Sequence, residues 1–105
     1  MNHLKIKKLI KTIFENFKLS KKHSEISAEY LIKAELLGAP SHGLARLKMY
    51  CERINKKIIN PNPKIKIKKI SQSISHIDAN NSIGFVAADL GIKVAIKNAK
   101  KLVLD

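Results

Sequence analysis

The order of apolar and polar residues along the chain predicts three helices, then two strands, then a fourth helix. From the N-terminus, apolar residues recur three or four positions apart among lysines, which is typical of an amphipathic helix over about residues 3–18. A second series of this kind predicts a helix with Ser24 as its N-cap, closed by Gly38-Ala39-Pro40. A third helix is expected after Ser41-His42-Gly43. Asn60-Pro61-Asn62-Pro63 should end it, because each proline disfavours helix in the residue before it.

Beyond these prolines the apolar residues change from a helical period to strict alternation. Residues 64–68 alternate lysine with isoleucine, and residues 73–78 alternate again, so we expect two strands, each with one buried isoleucine face. Ser71-Gln72 would form the turn between them. A fourth helix is expected from Ile83 to about residue 100, and residues 102–104 are expected to begin a further strand.

The change of period divides the chain into two parts and predicts an α+β fold. Residues 1–60 form a helical N-terminal subdomain of three helices that carries the Ser-His-Gly segment, and residues 61–105 form a β-hairpin plus a long helix that should pack on a larger sheet. No apolar run approaches the ~18 residues that a membrane-spanning helix needs. Lys11 and Glu15 also interrupt the first apolar stretch, unlike a secretory signal, so the expected location is the cytoplasm.

The composition is strongly basic, with a formal net charge of +13. This charge favours non-specific attraction to polyanions and leaves open a small basic nucleic-acid or membrane-surface binding module. However, the cations are 19 lysines and only two arginines, and the sequence also contains 16 isoleucines and 8 asparagines. Codons for these three abundant residues are rich in A and T, so genome base composition is sufficient to explain the lysine excess. The single cysteine, Cys51, excludes an internal disulfide.

The segment Ser41-His42-Gly43-Leu44-Ala45-Arg46 carries the most distinctive chemistry of the chain. His42 and Arg46 are four residues apart and would share one face if a helix starts at once, beside first-turn N–H groups that favour an anion. Arginine can bind a carboxylate with two parallel hydrogen bonds, and histidine can donate or remove a proton. Ser41 could fix the tautomer of the imidazole. On spacing alone, a capping serine, a solvated histidine and a surface arginine remain the alternative.

Longer motifs resemble those of a known enzyme family. Gly38-Ala39-Pro40-Ser41-His42-Gly43-Leu44-Ala45-Arg46-Leu47 is followed by Tyr50, Arg53-Ile54, Ile59-Asn60-Pro61, Asp78-Ala79 and Ser82-Ile83-Gly84-Phe85. This pattern is similar to the N-terminal region of the malate/L-lactate dehydrogenase-like oxidoreductases, a group that includes 2,3-diketo-L-gulonate reductase, ureidoglycolate dehydrogenase and sulfolactate dehydrogenase. The resemblance covers essentially the whole chain.

The resemblance implies roles for three residues. His42 would donate a proton to the substrate carbonyl, or accept one in the oxidising direction, with Ser41 as its relay partner and Arg46 binding the substrate carboxylate. It also implies an NAD(P)-dependent enzyme that interconverts 2-hydroxy and 2-keto acids and assembles as a homodimer, with no metal, no membrane and no specific nucleic acid.

Because family members are much longer, the chain would be an incomplete portion of the family's non-Rossmann NAD(P)-binding oxidoreductase fold. The site for NAD or NADP would lie in the missing part, so we expect the chain to be inactive alone. A truncated gene product is the simplest origin, and half of a split protein is the alternative.

Two positions depart from the family pattern, and other candidate groups are weaker. Lys57 stands where the family usually has glycine before Ile-Asn-Pro, which costs little if its φ is negative and more if φ is positive. Glu35 stands where the family often has aspartate. His76 and Asp78 could form a diad on one strand face or a solvated pair, and Cys51 is expected in a helix core. The four histidines and one cysteine show no metal-ligand spacing.

Overall fold

The computed structural model of the chain describes residues 2–38 and 44–104. Within these ranges four α-helices and a two-stranded antiparallel sheet confirm the α+β class. A 3₁₀ turn at Leu44–Arg46 leads into the third helix. In chain order the elements are α1 (His3–Asn16), α2 (Lys21–Leu36), α3 (Leu47–Asn55), β1 (Lys66–Lys69), β2 (Ser75–Asp78) and α4 (Gly84–Leu104).

The first helix begins and ends close to the predicted positions. The Asn2 side chain caps α1 by accepting a hydrogen bond from the Leu4 amide at 2.9 Å. At the other end Leu19 N–H donates to the Phe14 carbonyl at 3.1 Å, and Lys18, which follows the C-cap residue, has a φ of 78°. This is the Schellman arrangement, and the burial of both Phe14 and Leu19 supplies the apolar contact that accompanies it.

The second helix begins earlier than expected. Ser20, not Ser24, is its N-cap, because the Ser20 hydroxyl accepts a hydrogen bond from His23 N–H at 3.1 Å. The earlier start places Ser24 inside α2, fully buried, where its hydroxyl donates to the Leu19 carbonyl at 3.5 Å. As predicted, Gly38 follows the helix end, with a φ of 75° that glycine adopts without strain. The rest of the predicted stop, Ala39-Pro40, lies outside the described residues.

One hydrophobic core connects all four helices. Phe14, Leu31 and Ile83 are its largest fully buried apolar side chains, and they come from α1, α2 and the residue before α4. Since Ile83 belongs to the core that α1 and α2 build, the core spans the boundary at residue 60, and the division into two parts stays a prediction. The whole core contains Ile10, Phe14, Leu19, Ala28, Leu31, Ile32, Ile54, Ile59, Ile83 and Val86.

The hairpin forms, but its predicted buried face does not. Ile67 pairs with Ile77 across the two strands, and the Ile70 amide donates to the Ile74 carbonyl at 2.9 Å to close the turn near Ser71. All four residues of β1 are exposed, Ile67 by 51%. The expectation of a buried isoleucine face is therefore wrong for β1, because the hairpin is held against α4 on the β2 side, where Asn98 Nδ2 donates to Ser75 Oγ at 3.1 Å.

The last helix is longer than predicted. The expected strand at residues 102–104 is wrong, since α4 continues to Leu104. No glycine or proline follows Gly91 in this helix, and alanine, lysine and leucine all favour helix, so nothing in the sequence breaks it. Even at this length, no helix in residues 2–38 and 44–104 is long and apolar enough to cross a membrane.

Candidate active site

Of the three predicted site residues, the described part of the chain includes Arg46. Ser41 and His42 lie outside the described residues. Arg46 ends the 3₁₀ turn and is the half-buried residue directly before α3, with a φ of −93°. The regular α-helix therefore begins at Leu47 rather than directly after Gly43.

The C-terminal end of α3 differs from the prediction as well. The helix ends at Asn55 rather than just before Asn60-Pro61, and Lys57 follows the C-cap residue with a φ of 64°. Ile58 N–H donates to the Arg53 carbonyl at 2.9 Å and Lys57 N–H to the Ile54 carbonyl at 3.1 Å, which is again the Schellman arrangement. Lys57 thus occupies a left-handed position, which costs a residue other than glycine about 1 kcal/mol.

The Ile-Asn-Pro motif connects α3 to the start of α4. Asn60 N–H donates to the Asn81 carbonyl at 2.8 Å, and the neighbouring Ile59 and Ile83 are both buried in the core. These contacts hold the backbone after α3 against the backbone before α4.

Three aromatic rings fix α3 against its neighbours. The rings of Tyr50 on α3 and Phe85 on α4 are tilted at 58° with centroids 5.1 Å apart, and Tyr30 on α2 stacks on the same phenylalanine at 6.0 Å and 19°. Such pairs stabilise by about 0.5–1.5 kcal/mol beyond the area that they bury. Tyr50 lies four residues after Arg46, so the aromatic cluster holds the first turn of the helix that follows this arginine.

A charged group beside the rings was missed from the sequence. Asp89 accepts a hydrogen bond from the Tyr30 hydroxyl at 3.1 Å and lies 2.8 Å from Lys93 Nζ. Hydrogen bonding to Lys93 and Tyr30 outweighs the effect of burial and lowers the pKa of Asp89, while the same contacts raise the pKa of both Tyr30 and Lys93. The four-residue spacing of Asp89 and Lys93 was a usable signal. The contact with Tyr30 depends on tertiary packing, so no sequence pattern indicates it.

Glu35 carries an unusual carboxylate. Its Oε2 atom is buried and has no hydrogen-bond partner among the described residues, although the side chain as a whole is half-buried. Burying a carboxylate oxygen away from water is costly when no hydrogen bond replaces its hydration. Glu35 lies in the last turn of α2, before the Ser41-His42 segment in the sequence.

The weaker candidates are Cys51, His76 and Asp78, and each lies in surroundings typical of a structural residue. Burial raises the pKa of the Cys51 thiol, which keeps it protonated at neutral pH and fits the expected helix-core cysteine. His76 is exposed on β2 opposite Lys68, and the Asp78 carboxylate accepts a hydrogen bond from the Asn80 amide at 3.0 Å, shaping the turn after the strand. Across residues 2–38 and 44–104, no group of three His, Cys, Asp or Glu side chains could hold a metal.

A groove of about 670 Å³ lies away from Arg46. It is formed by the C-terminal ends of α1 and α3, and Lys18 and Lys57 line it together with Asn60 and Asn81. Arg46 precedes the N-terminal end of α3, and a helix of nine residues is about 13 Å long. The groove is therefore separate from the predicted carboxylate site.

Comparison with known proteins decides the family. The malate/L-lactate dehydrogenase family model matches residues 1–104, nearly the whole chain. The chain belongs to this family. A malate/(S)-sulfolactate dehydrogenase of Methanothermus fervidus is 36% identical over 92 residues, which are 88% of this chain and 27% of that relative. The NAD(+) ureidoglycolate dehydrogenase of Escherichia coli is 35% identical over 83 residues, 79% of this chain and 24% of that protein.

Solved structures agree with this assignment. The sulfolactate dehydrogenase of Methanocaldococcus jannaschii superposes with a TM-score of 0.92 at 32% identity, covering 97% of this chain and 30% of that one. This chain thus corresponds to the N-terminal portion of these dehydrogenases and spans less than a third of their length. The family implies a nicotinamide cofactor, and its identity varies, because a (2R)-3-sulfolactate dehydrogenase of Chromohalobacter salexigens, 31% identical over 79 residues, carries NADP(+) in its name.

Proposed function

We propose that this chain supplies the proton-transfer and carboxylate-binding part of an NAD(P)-dependent oxidoreductase that interconverts 2-hydroxy and 2-keto acids. The supporting observation is the placement of Arg46 directly before α3, one turn from the Tyr50–Phe85 contact and four residues after His42, in a family member. The name of one relative includes malate and sulfolactate, and each of these acids carries a carboxylate next to the reacting carbon.

The chemistry of such a substrate explains why these residue types lie close in sequence. In a 2-keto acid the carboxylate and the carbonyl are on adjacent carbons, so a carboxylate anchor and a proton donor must act on neighbouring groups. Arg46 would bind the carboxylate with two parallel hydrogen bonds. His42 would give a proton to the carbonyl oxygen during reduction and take one from the hydroxyl during oxidation, with Ser41 hydrogen-bonded to the imidazole.

The nicotinamide, when bound, supplies or accepts the hydride. The described residues offer no glycine-rich dinucleotide loop, because Gly84 and Gly91 are the first and eighth residues of α4. NAD or NADP would therefore bind through the rest of the dehydrogenase fold, the 105 residues alone would be inactive, and the whole enzyme would assemble as a homodimer.

A chimaera tests the roles of His42 and Arg46. Residues 1–105 replace the matching N-terminal part of the M. jannaschii sulfolactate dehydrogenase, and sulfolactate turnover is measured. We expect His42→Ala to lower kcat at least ~100-fold, and Arg46→Lys to lower kcat/KM at least ~10-fold because lysine lacks the two-pronged geometry. His76→Ala, which removes an exposed histidine on β2, is the matched control and should be silent. Full turnover by the His42→Ala chimaera would refute the assignment.

A further inference from the structure

A cleft between the β-hairpin and the second half of α4 is lined by lysines from both elements. Its volume is about 270 Å³, and the hydrogen bond from Asn98 on α4 to Ser75 on β2 joins its two walls. Lys69 on β1 lies directly opposite Ser75 in the strand register, and Lys97 and Lys101 come from α4. Three ammonium-bearing side chains thus line one small cleft.

The periods of strand and helix explain this placement. Successive strand residues alternate between two faces, so Lys69 lines the cleft while its neighbour Lys68 lies on the opposite face of β1. On α4, Lys97 and Lys101 are four residues apart and share the cleft face, whereas Lys100 is rotated by about 100° from Lys101. Two of the cleft lysines therefore have a neighbour of the same charge that faces elsewhere.

The cleft lysines have no acidic partner in the described part of the chain. Residues 61–77 and 90–104 contain eight lysines and no acidic residue. Asp89 precedes Lys97 by about 12 Å along the helix and pairs with Lys93 at 2.8 Å. Base composition explains the number of lysines but not their convergence on a cleft without a carboxylate. A cleft lined by one sign of charge concentrates ions of the opposite sign.

Asp78 and Asp105 follow these two ranges. Asp78 lies three residues after Ser75, hence on the opposite face of β2, and its carboxylate accepts a hydrogen bond from the Asn80 amide at 3.0 Å. Asp105 lies outside the described residues. Both strands are described in full, and their cleft face carries no carboxylate.

The cleft also offers uncharged hydrogen-bond donors. Asn98 Nδ2 donates to Ser75 Oγ at 3.1 Å, which leaves the hydroxyl hydrogen of Ser75 able to donate to a ligand oxygen. Lysine binds phosphate as a point charge, whereas the fork of arginine suits a planar carboxylate, and neither Arg46 nor Arg53 lines the cleft. Several ammonium groups and a hydroxyl match the oxygens of a tetrahedral phosphate.

We propose that this cleft binds a small phosphate compound through Lys69, Lys97 and Lys101. Its volume is below the ~300–1,000 Å³ of pockets that bury a drug-sized ligand, so a dinucleotide is too large for it. The site is separate from the predicted carboxylate site, because Phe85, which contacts α3, precedes Lys97 by about 18 Å along α4. The inference therefore does not depend on the proposed function.

Titration of the 105-residue chain with inorganic pyrophosphate tests the site. Backbone amide NMR shifts report both the affinity and the position of binding, at ~0.1 M salt to screen distant charges. We expect one saturable site. Lys69→Gln and Lys101→Gln should each weaken binding at least ~5-fold. Lys68→Gln and Lys100→Gln remove the same charge from the neighbouring positions and should each weaken it less than ~2-fold.

Several results would overturn the inference. Binding without saturation, or shifts spread over the lysines of α1 as well, would show general attraction to the net charge of +13. Equal weakening by all four substitutions would indicate a broad face for polyanions instead of a cleft for one small anion. Equal affinity for acetate would show that the site does not select phosphate.

The chimaera provides a second measurement that does not depend on how stable the 105-residue chain is. Lys68 and Lys69 are both exposed, so neither glutamine variant should change the Tm of the ligand-free chimaera. Pyrophosphate should raise the Tm, because a ligand that binds the folded state stabilises it. The rise should be smaller for Lys69→Gln than for Lys68→Gln, and equal rises would contradict the site.

Discussion

The α1–α2 pair and the outer face of α4 differ in how completely their apolar residues are covered. Phe14 and Leu31, on α1 and α2, are fully buried, whereas Ile92 and Ile96 on α4 are about half exposed. Apolar residues recur at helical spacing in both regions. The sequence pattern therefore indicates which residues are suited to burial, whereas the helices and strands that pack on them decide which residues are buried.

Phe14 should be the most sensitive of the positions considered. Phe14→Ala leaves a cavity in the core that α1 and α2 share, and such substitutions cost about 3–5 kcal/mol, enough to abolish the cooperative transition of a small domain. Leu9→Ala, on the same helix and 62% exposed, is the control. Thermal unfolding followed by circular dichroism measures both. Equal losses for the two variants would mean that the α1–α2 pair is not the stable part of the molecule.

Tyr30 and Asp89 test the contact between α2 and α4. Tyr30→Phe keeps the ring stacked on Phe85 but removes the donor to Asp89, so we expect a small loss of stability at neutral pH. The pKa of Asp89 is lowered in the folded chain, so its stabilisation is fully present above the pKa of the unfolded aspartate and is lost as the pH falls through the lower folded value.

Urea unfolding as a function of pH checks this sign. The unmodified chain should lose stability on acidification below pH ~4, and Asp89→Asn should lose less over the same range. Tyr50→Phe, which also keeps its ring on Phe85, is the control and should retain the acid-dependent loss. An Asp89→Asn variant with an unchanged acid profile would show that this contact contributes nothing to the coupling of α2 and α4.

Lys57 is a position where the chain can be stabilised. Its φ of 64° is unfavourable for lysine, so Lys57→Gly should raise stability by about 0.5–1 kcal/mol and the Tm by about 4 °C. Lys56→Gly is the matched control, because the φ of Lys56 is −81° and a glycine there gains nothing. If Lys56→Gly stabilised as much, the effect would not come from the left-handed conformation.

The sequence predicted the elements well where local rules decide them. The α+β class, the helix stop at Gly38 and the hairpin turn near Ser71 all follow from periodicity and turn chemistry. The family pattern led to Arg46, which the structure places directly before α3. Two expectations were wrong and one contact was missed, because tertiary packing decided them. Ser24 is buried inside α2, Ile67 on β1 lacks a covering layer, and the Tyr30–Asp89 contact joins residues far apart in sequence.

Ile92 should be less sensitive to substitution than Val86 on the opposite face of the same helix. Ile92→Ser removes an apolar side chain that is 53% exposed, so its loss should change stability by less than about 0.5 kcal/mol. Val86→Ala on the packed face of the same helix, 3% exposed, should cost more, on the order of 1–3 kcal/mol.

Both are measured by urea unfolding of the 105-residue chain and of the chimaera. In the chimaera the cost of Ile92→Ser should rise toward that of Val86→Ala, because burial, and not the residue type, sets the energetic value of an apolar side chain. An equal, small cost in both proteins would mean that Ile92 stays exposed in the chimaera.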